Sequence, residues 1–154
     1  MTILNRAMRT AGASLAFAVS ALAPLPSLAQ TSSQLVVQVD GIRNQQGQLC
    51  LSVFSSQQGF PNRTDVALRN QCIAVTTSQP SVTFDALPAG SYAVAVLHDS
   101  NSDNTINRNF LGIPQEGFGF SGNPVIRTGP PSFGESVVVV AGRRTDLQIR
   151  LNYF

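Results

Sequence analysis

From residue 99 to residue 109, oxygen-bearing side chains recur at nearly every second position. They are Asp99, Asn101, Asp103 and Asn107, with the backbone carbonyl of Thr105 between the last two. Alternate side chains of a tight turn converge on one point, and oxygen atoms at that spacing suit a hard cation, so the stretch is a candidate calcium loop. It departs from the helical calcium hand in two places. Asn104 stands where glycine gives the sharp turn, and Phe110 stands where a bidentate glutamate should close the site. Glu116 offers a third carboxylate from outside the loop. So few carboxylates imply affinity in the weak extracellular range. The plain alternative is an Asx-turn knot, in which the same side chains bond their own backbone and no ion is needed.

The other reactive types are sparse. His98 is the single histidine and is followed by Asp99. With Glu116 they form the nucleus of an alternative reading as a hydrolase. However, no G-x-S-x-G elbow is present, and neighbouring residues of a strand face opposite ways, so His98 and Asp99 do not form an acid–base pair by themselves. His98 is expected at a strand end, bonded to a carbonyl or a turn side chain. Phe118, Phe120 and Arg127, with His98, form a possible ligand surface for a carbohydrate or a surface partner; the bland reading makes the phenylalanines a small loop core. Cys50 and Cys72 are the only cysteines. A catalytic thiol or half a metal site would need a nearby base or further ligands, and there is no CxxC and no second histidine.

The elements that must hold these residues are read as strands. Leu35, Val37 and Val39 alternate with Val36 and Gln38, then stop at Asp40-Gly41. Residues 48–54 put Leu49, Leu51 and Val53 on one face, and the turn at 44–47 suggests a hairpin between these two strands. Further strands are expected at 72–76, 82–84, 92–98, 136–140 and 147–151. Seven short strands with Gly, Pro and Asn turns predict an all-β antiparallel sandwich of the immunoglobulin or transthyretin kind. Residues 55–71 read as a loop with a short helical turn near 66–68. The interval 99–135 is long for a loop, and Phe110, Phe118, Phe120 and Phe133 predict an ordered excursion whose aromatics pack back on the sheets.

Of 154 residues, 43% are hydrophobic and 12% charged, enough for one domain with its own core. Residues 1–29 have the positive, apolar and small-residue order of a secretory signal, with Ser27 and Ala29 before the cut. The remaining chain, 30–154, is then a single domain, periplasmic or secreted. The formal charge of +2 rests on Arg6 and Arg9 in the leader; without them eight arginines match eight Asp and Glu. That balance leaves no basic patch for nucleic acid. No other segment is long and apolar enough for a transmembrane helix. In an oxidising compartment the simple expectation for Cys50 and Cys72 is a disulfide, with ~3 kcal/mol of stabilisation from loop closure.

The runs Leu87-Pro-Ala-Gly-Ser-Tyr-Ala-Val-Ala-Val-Leu-His-Asp99, Asn109-Phe-Leu-Gly-Ile-Pro-Gln-Glu-Gly-Phe-Gly-Phe-Ser121 and Gly129-Pro-Pro-Ser-Phe133 resemble the bacterial family called domain of unknown function 2141. The resemblance implies an exported single-domain protein with no established activity. In that family the turn after His-Asp is acidic, contains glycine and ends in Leu-Asp. Here Asn104 and Asn107 replace the Gly and the Asp, and Gln115 replaces a usual Lys, which lowers the ligand charge. The Pro88-to-Val94 step is also similar to transthyretin-like and collagen-adhesin B-type sandwiches. Hydroxyisourate hydrolases of the transthyretin group use several histidines and a C-terminal Tyr-Arg-Gly-Ser, whereas this chain has one histidine and ends Leu-Asn-Tyr-Phe. Taken together, these features predict an exported, non-enzymatic binding or structural module with calcium as its one candidate cofactor. Its expected partners are a cell-surface protein or a carbohydrate.

Overall fold

Alternation of apolar and polar residues builds the first layer. In β1 (Ser33–Asp40), Leu35, Val37 and Val39 are fully buried while Gln38 faces out, as a half-buried strand requires. The computed structural model describes residues 32–154, so the expected leader at 1–29 lies outside the described residues. Seven further strands follow: β2 (Gln48–Phe54), β3 (Arg69–Ala74), β4 (Ser81–Leu87), β5 (Gly90–Asp99), β6 (Gly117–Phe120), β7 (Val137–Val140) and β8 (Arg144–Arg150). One four-residue helical turn, α1 (Phe133–Ser136), is closed by a capping box between Ser132 and Glu135. No helix among the described residues is long and apolar enough to cross a membrane.

The strands form an all-β sandwich of two sheets. One is three-stranded in the order β4-β1-β8, with β1 antiparallel to β4 and parallel to β8. The other runs β3-β2-β5-β6, and β7 also joins it. The ten-residue β5 divides its outer edge: residues 90–93 pair with β7 and residues 95–98 with β6. On that edge, between those stretches, Val94 has no strand partner, and Ser121 fills the gap. Its N–H donates to the Val94 carbonyl at 2.9 Å, its Oγ accepts the Val94 N–H at 2.8 Å, and the same hydroxyl donates to the Ser136 carbonyl. Inward residues of both sheets, among them Val37, Leu51, Val96 and Ile149, make one core.

Three sequence expectations change. The strands at 35–39 and 48–54 are not a hairpin. Both edges of β1 are taken by β4 and β8, and both edges of β2 by β3 and β5, so the two face each other across the core. Each has three fully buried aliphatic residues, which a sandwich covers best by placing them in opposite sheets. The strand expected at 72–76 begins earlier, at Arg69, because its position is set by the ladder to β2 and not by its own apolar pattern, which is almost wholly exposed. An eighth strand, β6, occupies the Gly-Phe-Gly-Phe run. There Phe118 and Phe120 face outward, and the glycines face in where no Cβ fits. A Cβ on Gly119 would sit 2.8 Å from Ile149 Cγ2 and 2.9 Å from the Arg150 carbonyl, and one on Gly117 would overlap the Tyr153 ring.

Candidate functional site

The loop after β5 is organised by three carboxylates at two depths. Asp99 is fully buried at the end of β5, on the outer face, opposite Gln48 in the ladder. Its Oδ1 accepts the Asp103 N–H at 3.2 Å, and its Oδ2 accepts the Asn104 N–H at 2.8 Å and Gln48 Nε2 at 2.9 Å. Glu116, also buried, clamps the loop's base by accepting the N–H groups of Ser100 at 3.1 Å and Asn107 at 2.9 Å. Asp103 lies at the surface, where it accepts the side-chain amides of Asn101 and Asn107 and the Thr105 N–H. The amide of Asn107, then the Thr105 N–H and the Asn101 amide, hold the Asp103 carboxyl below its ordinary pKa. Asn104 has φ +62°, the left-handed turn that asparagine tolerates best after glycine. The loop therefore brings Asp99, Asn101, Asp103, Thr105, Asn107 and Glu116 into one hydrogen-bonded knot. Among the described residues, though, no three His, Cys, Asp or Glu side chains are grouped to hold a metal.

His98 faces the other way. It is fully buried, with Nε2 2.9 Å from the Gln46 carbonyl and Nδ1 2.7 Å from the Tyr153 hydroxyl. A carbonyl only accepts, so Nε2 carries the proton and the Tyr153 hydroxyl donates to Nδ1. Tyr153 in turn accepts the Arg43 N–H at 3.3 Å and lies under the Arg43 guanidinium, 4.4 Å from its ring centre. Burial pushes the Tyr153 phenol above its ordinary range, against the opposing pull of the Arg43 N–H and charge. Both histidine nitrogens are engaged, and His98, Asp99 and Glu116 do not converge on a shared reacting position. His98 is therefore separated from Phe118, Phe120 and Arg127 by the sheet itself.

The outer face of the five-stranded sheet carries a groove of about 670 Å³. Its floor is the Cys50–Cys72 disulfide, Ala95, Leu97 and Phe118, contributed by four adjacent strands. Cys50 and Cys72 are directly opposite in the β2–β3 ladder, which is why their sulfurs meet. Loops form the walls: Ile106, Arg108 and Ile113 from the β5–β6 connection, and Ile126, Arg127 and Pro130 from the segment after β6. Phe120 closes one end, stacked edge-on against Phe60, which also meets Phe54 and Phe133. Phe154 leans over Phe118 at 5.5 Å between ring centres.

A family model described as an uncharacterized protein conserved in bacteria, DUF2141, matches residues 37–148. The chain belongs to the DUF2141 family. No curated protein and no solved structure matches it significantly. The DUF2141 match takes in the knot, the disulfide, His98 and most of the groove, while Tyr153 and Phe154 fall beyond it.

Within this DUF2141 chain, Phe118, Phe120 and Arg127 all line the groove, as a ligand surface would require, but the phenylalanines belong to a strand and not to a loop core. Phe110 corrects the expectation that the excursion folds all its aromatics inward: it is 95% exposed. The cause is the tight turn that carries it, in which Asn109 Oδ1 accepts the N–H groups of Leu111 and Ile113 and aims Phe110 at solvent. Leu97, Ala95, Ile106 and Arg108 were not singled out from the sequence. For Ala95 and Leu97 the signal was the unbroken apolar run from Tyr92 to Leu97, because an antiparallel strand that is apolar on both faces has both faces covered; Ile106 and Arg108, in the connection beyond β5, carried none.

Proposed function

We propose that this DUF2141 protein is an exported, non-enzymatic ligand-binding module whose site is the groove on the outer face of the five-stranded sheet. The observation that carries the reading is the groove itself, an apolar floor within loop walls at a volume typical of small-ligand sites. The secretory leader in the sequence and the disulfide support a periplasmic or secreted location. An apolar floor without tyrosine or tryptophan favours a hydrophobic ligand over a carbohydrate. Titration of the chain 30–154 with the uncharged fluorophore N-phenyl-1-naphthylamine tests this. Saturable binding, lost when Leu97→Glu places a charge on the floor of a variant with unchanged circular dichroism, is the expected outcome. No saturable binding, or equal binding by the variant, refutes it.

A second reading concerns the knot, and the left-handed turn at Asn104 favours it. In this reading calcium is held weakly by Asp99, Asn101, Asp103, Asn107, the Thr105 carbonyl and Glu116, and its binding stiffens the loop that supplies Ile106 and Arg108 to the groove. A ligand that binds only the folded state raises its stability. The melting temperature should therefore rise between chelator and millimolar calcium, and the rise should vanish in Asp99→Asn/Asp103→Asn. No shift leaves a knot that holds itself.

A further inference from the structure

The charges around the groove specify its ligand more narrowly, and this step rests on the groove being a binding site. Two arginines line it, Arg108 and Arg127, from two different loops, and no Asp or Glu does. Every Asp and Glu side chain of the described residues lies outside the groove lining. Asp65 and Asp146 are paired with Arg63 and Arg144, Asp99 and Glu116 are committed to backbone N–H groups, and Glu135 caps α1 through Ser132. Arg108 and Arg127 form no ion pair among the described residues. Arg108 gives one N–H to the Gly112 carbonyl, which fixes its stem and leaves the rest of its fork available. A wholly apolar ligand would gain nothing from two cations beside an uncharged floor.

We infer that the groove takes an amphiphile with an apolar body on Ala95, Leu97 and Phe118 and a single oxyanion head, carboxylate-like, at Arg108 and Arg127. Guanidinium suits this head because its planar fork matches the two oxygens of a carboxylate. The head stays at the exposed rim, so the body carries affinity and the arginines carry selectivity between charged and neutral ligands of one shape.

Displacement of N-phenyl-1-naphthylamine by decanoate and by decanol, measured on the chain 30–154, tests it. Decanoate should displace the probe at a concentration about fivefold lower per arginine engaged, the upper end for an exposed ion pair. That preference should shrink as salt is added. The ratio of the two ligands, taken within each variant, cancels changes in the hold on the chain. Arg108→Gln/Arg127→Gln should bring the ratio to one, and Arg143→Gln, outside the groove, should preserve it. Equal displacement by the two ligands overturns the inference while leaving the groove reading intact, and so does a preference that survives the double variant. Failure of the probe to bind refutes both.

Discussion

Ser121→Ala tests the joint in β5 directly. The side chain is fully buried, so no water replaces the lost hydroxyl. Removing Oγ strips the Val94 N–H of its acceptor and the Ser136 carbonyl of a donor at once. A buried polar group left without a partner costs about 1–3 kcal/mol, and a carbonyl with a second lone pair sits at the low end. The expected loss is therefore about 2–5 kcal/mol, because alanine keeps Cβ and leaves almost no cavity. In urea, with a slope of about 2 kcal/mol/M, the midpoint should fall by roughly 1–2.5 M. Hydrogen exchange gives a local check, since the Val94 amide should lose protection relative to the amides of β2. A loss below about 1 kcal/mol, with Val94 still protected, would refute the idea that this hydroxyl bridges the split edge. Ser91→Ala, exposed on the same strand, should change stability by no more than ~0.5 kcal/mol.

Gly119→Ala forces a methyl against Ile149 and the Arg150 carbonyl, and overpacking of this kind should cost about 1–3 kcal/mol, a fall of roughly 4–12 °C in melting temperature. Unchanged melting would mean that β6 is not held where it is described. Cys50→Ser/Cys72→Ser should lose ~3 kcal/mol in urea titration at neutral pH, and a loss near zero would contradict the loop-closure account. Two pH limbs are expected. Asp103 and Glu135 are held below their ordinary 3.8 and 4.5, so the stability they lend is complete above those values and is lost as pH falls through the lowered ones. Tyr153 is raised above 10.0, so its contribution is complete below that pH and is lost as pH rises through the raised value. A urea-midpoint profile against pH should show both limbs, with Tyr153→Phe abolishing the alkaline one.

Much of the fold was legible because one face of most strands is apolar: Leu35, Val37 and Val39, or Leu49, Leu51 and Val53, read directly as inward faces. Pairing was not legible, since alternation says which face is buried and not which strand lies alongside. The hairpin expected of β1 and β2 failed on that point. The strand in Gly-Phe-Gly-Phe was hidden because glycine usually signals a turn, and only the structure shows its inner face pressed on Tyr153 and Ile149. The Ser132 to Glu135 spacing before an apolar run was a capping box in plain view. The knot was legible from the spacing of Asp and Asn. The groove was not, because Cys72, Leu97 and Phe118 meet only after β3, β2, β5 and β6 are laid side by side.

The disulfide also bears on how the molecule resists self-association. It fastens β3, an edge strand that adds only Ile73 to the core, to the strand beneath it. Without that bond β3 is held by its ladder alone and is the part of the sheet that burial protects least. If it detached, the apolar β2 would become the edge, an unpaired ladder of the kind that recruits strands from other chains. Reduction of the disulfide is therefore expected to favour aggregation through β2.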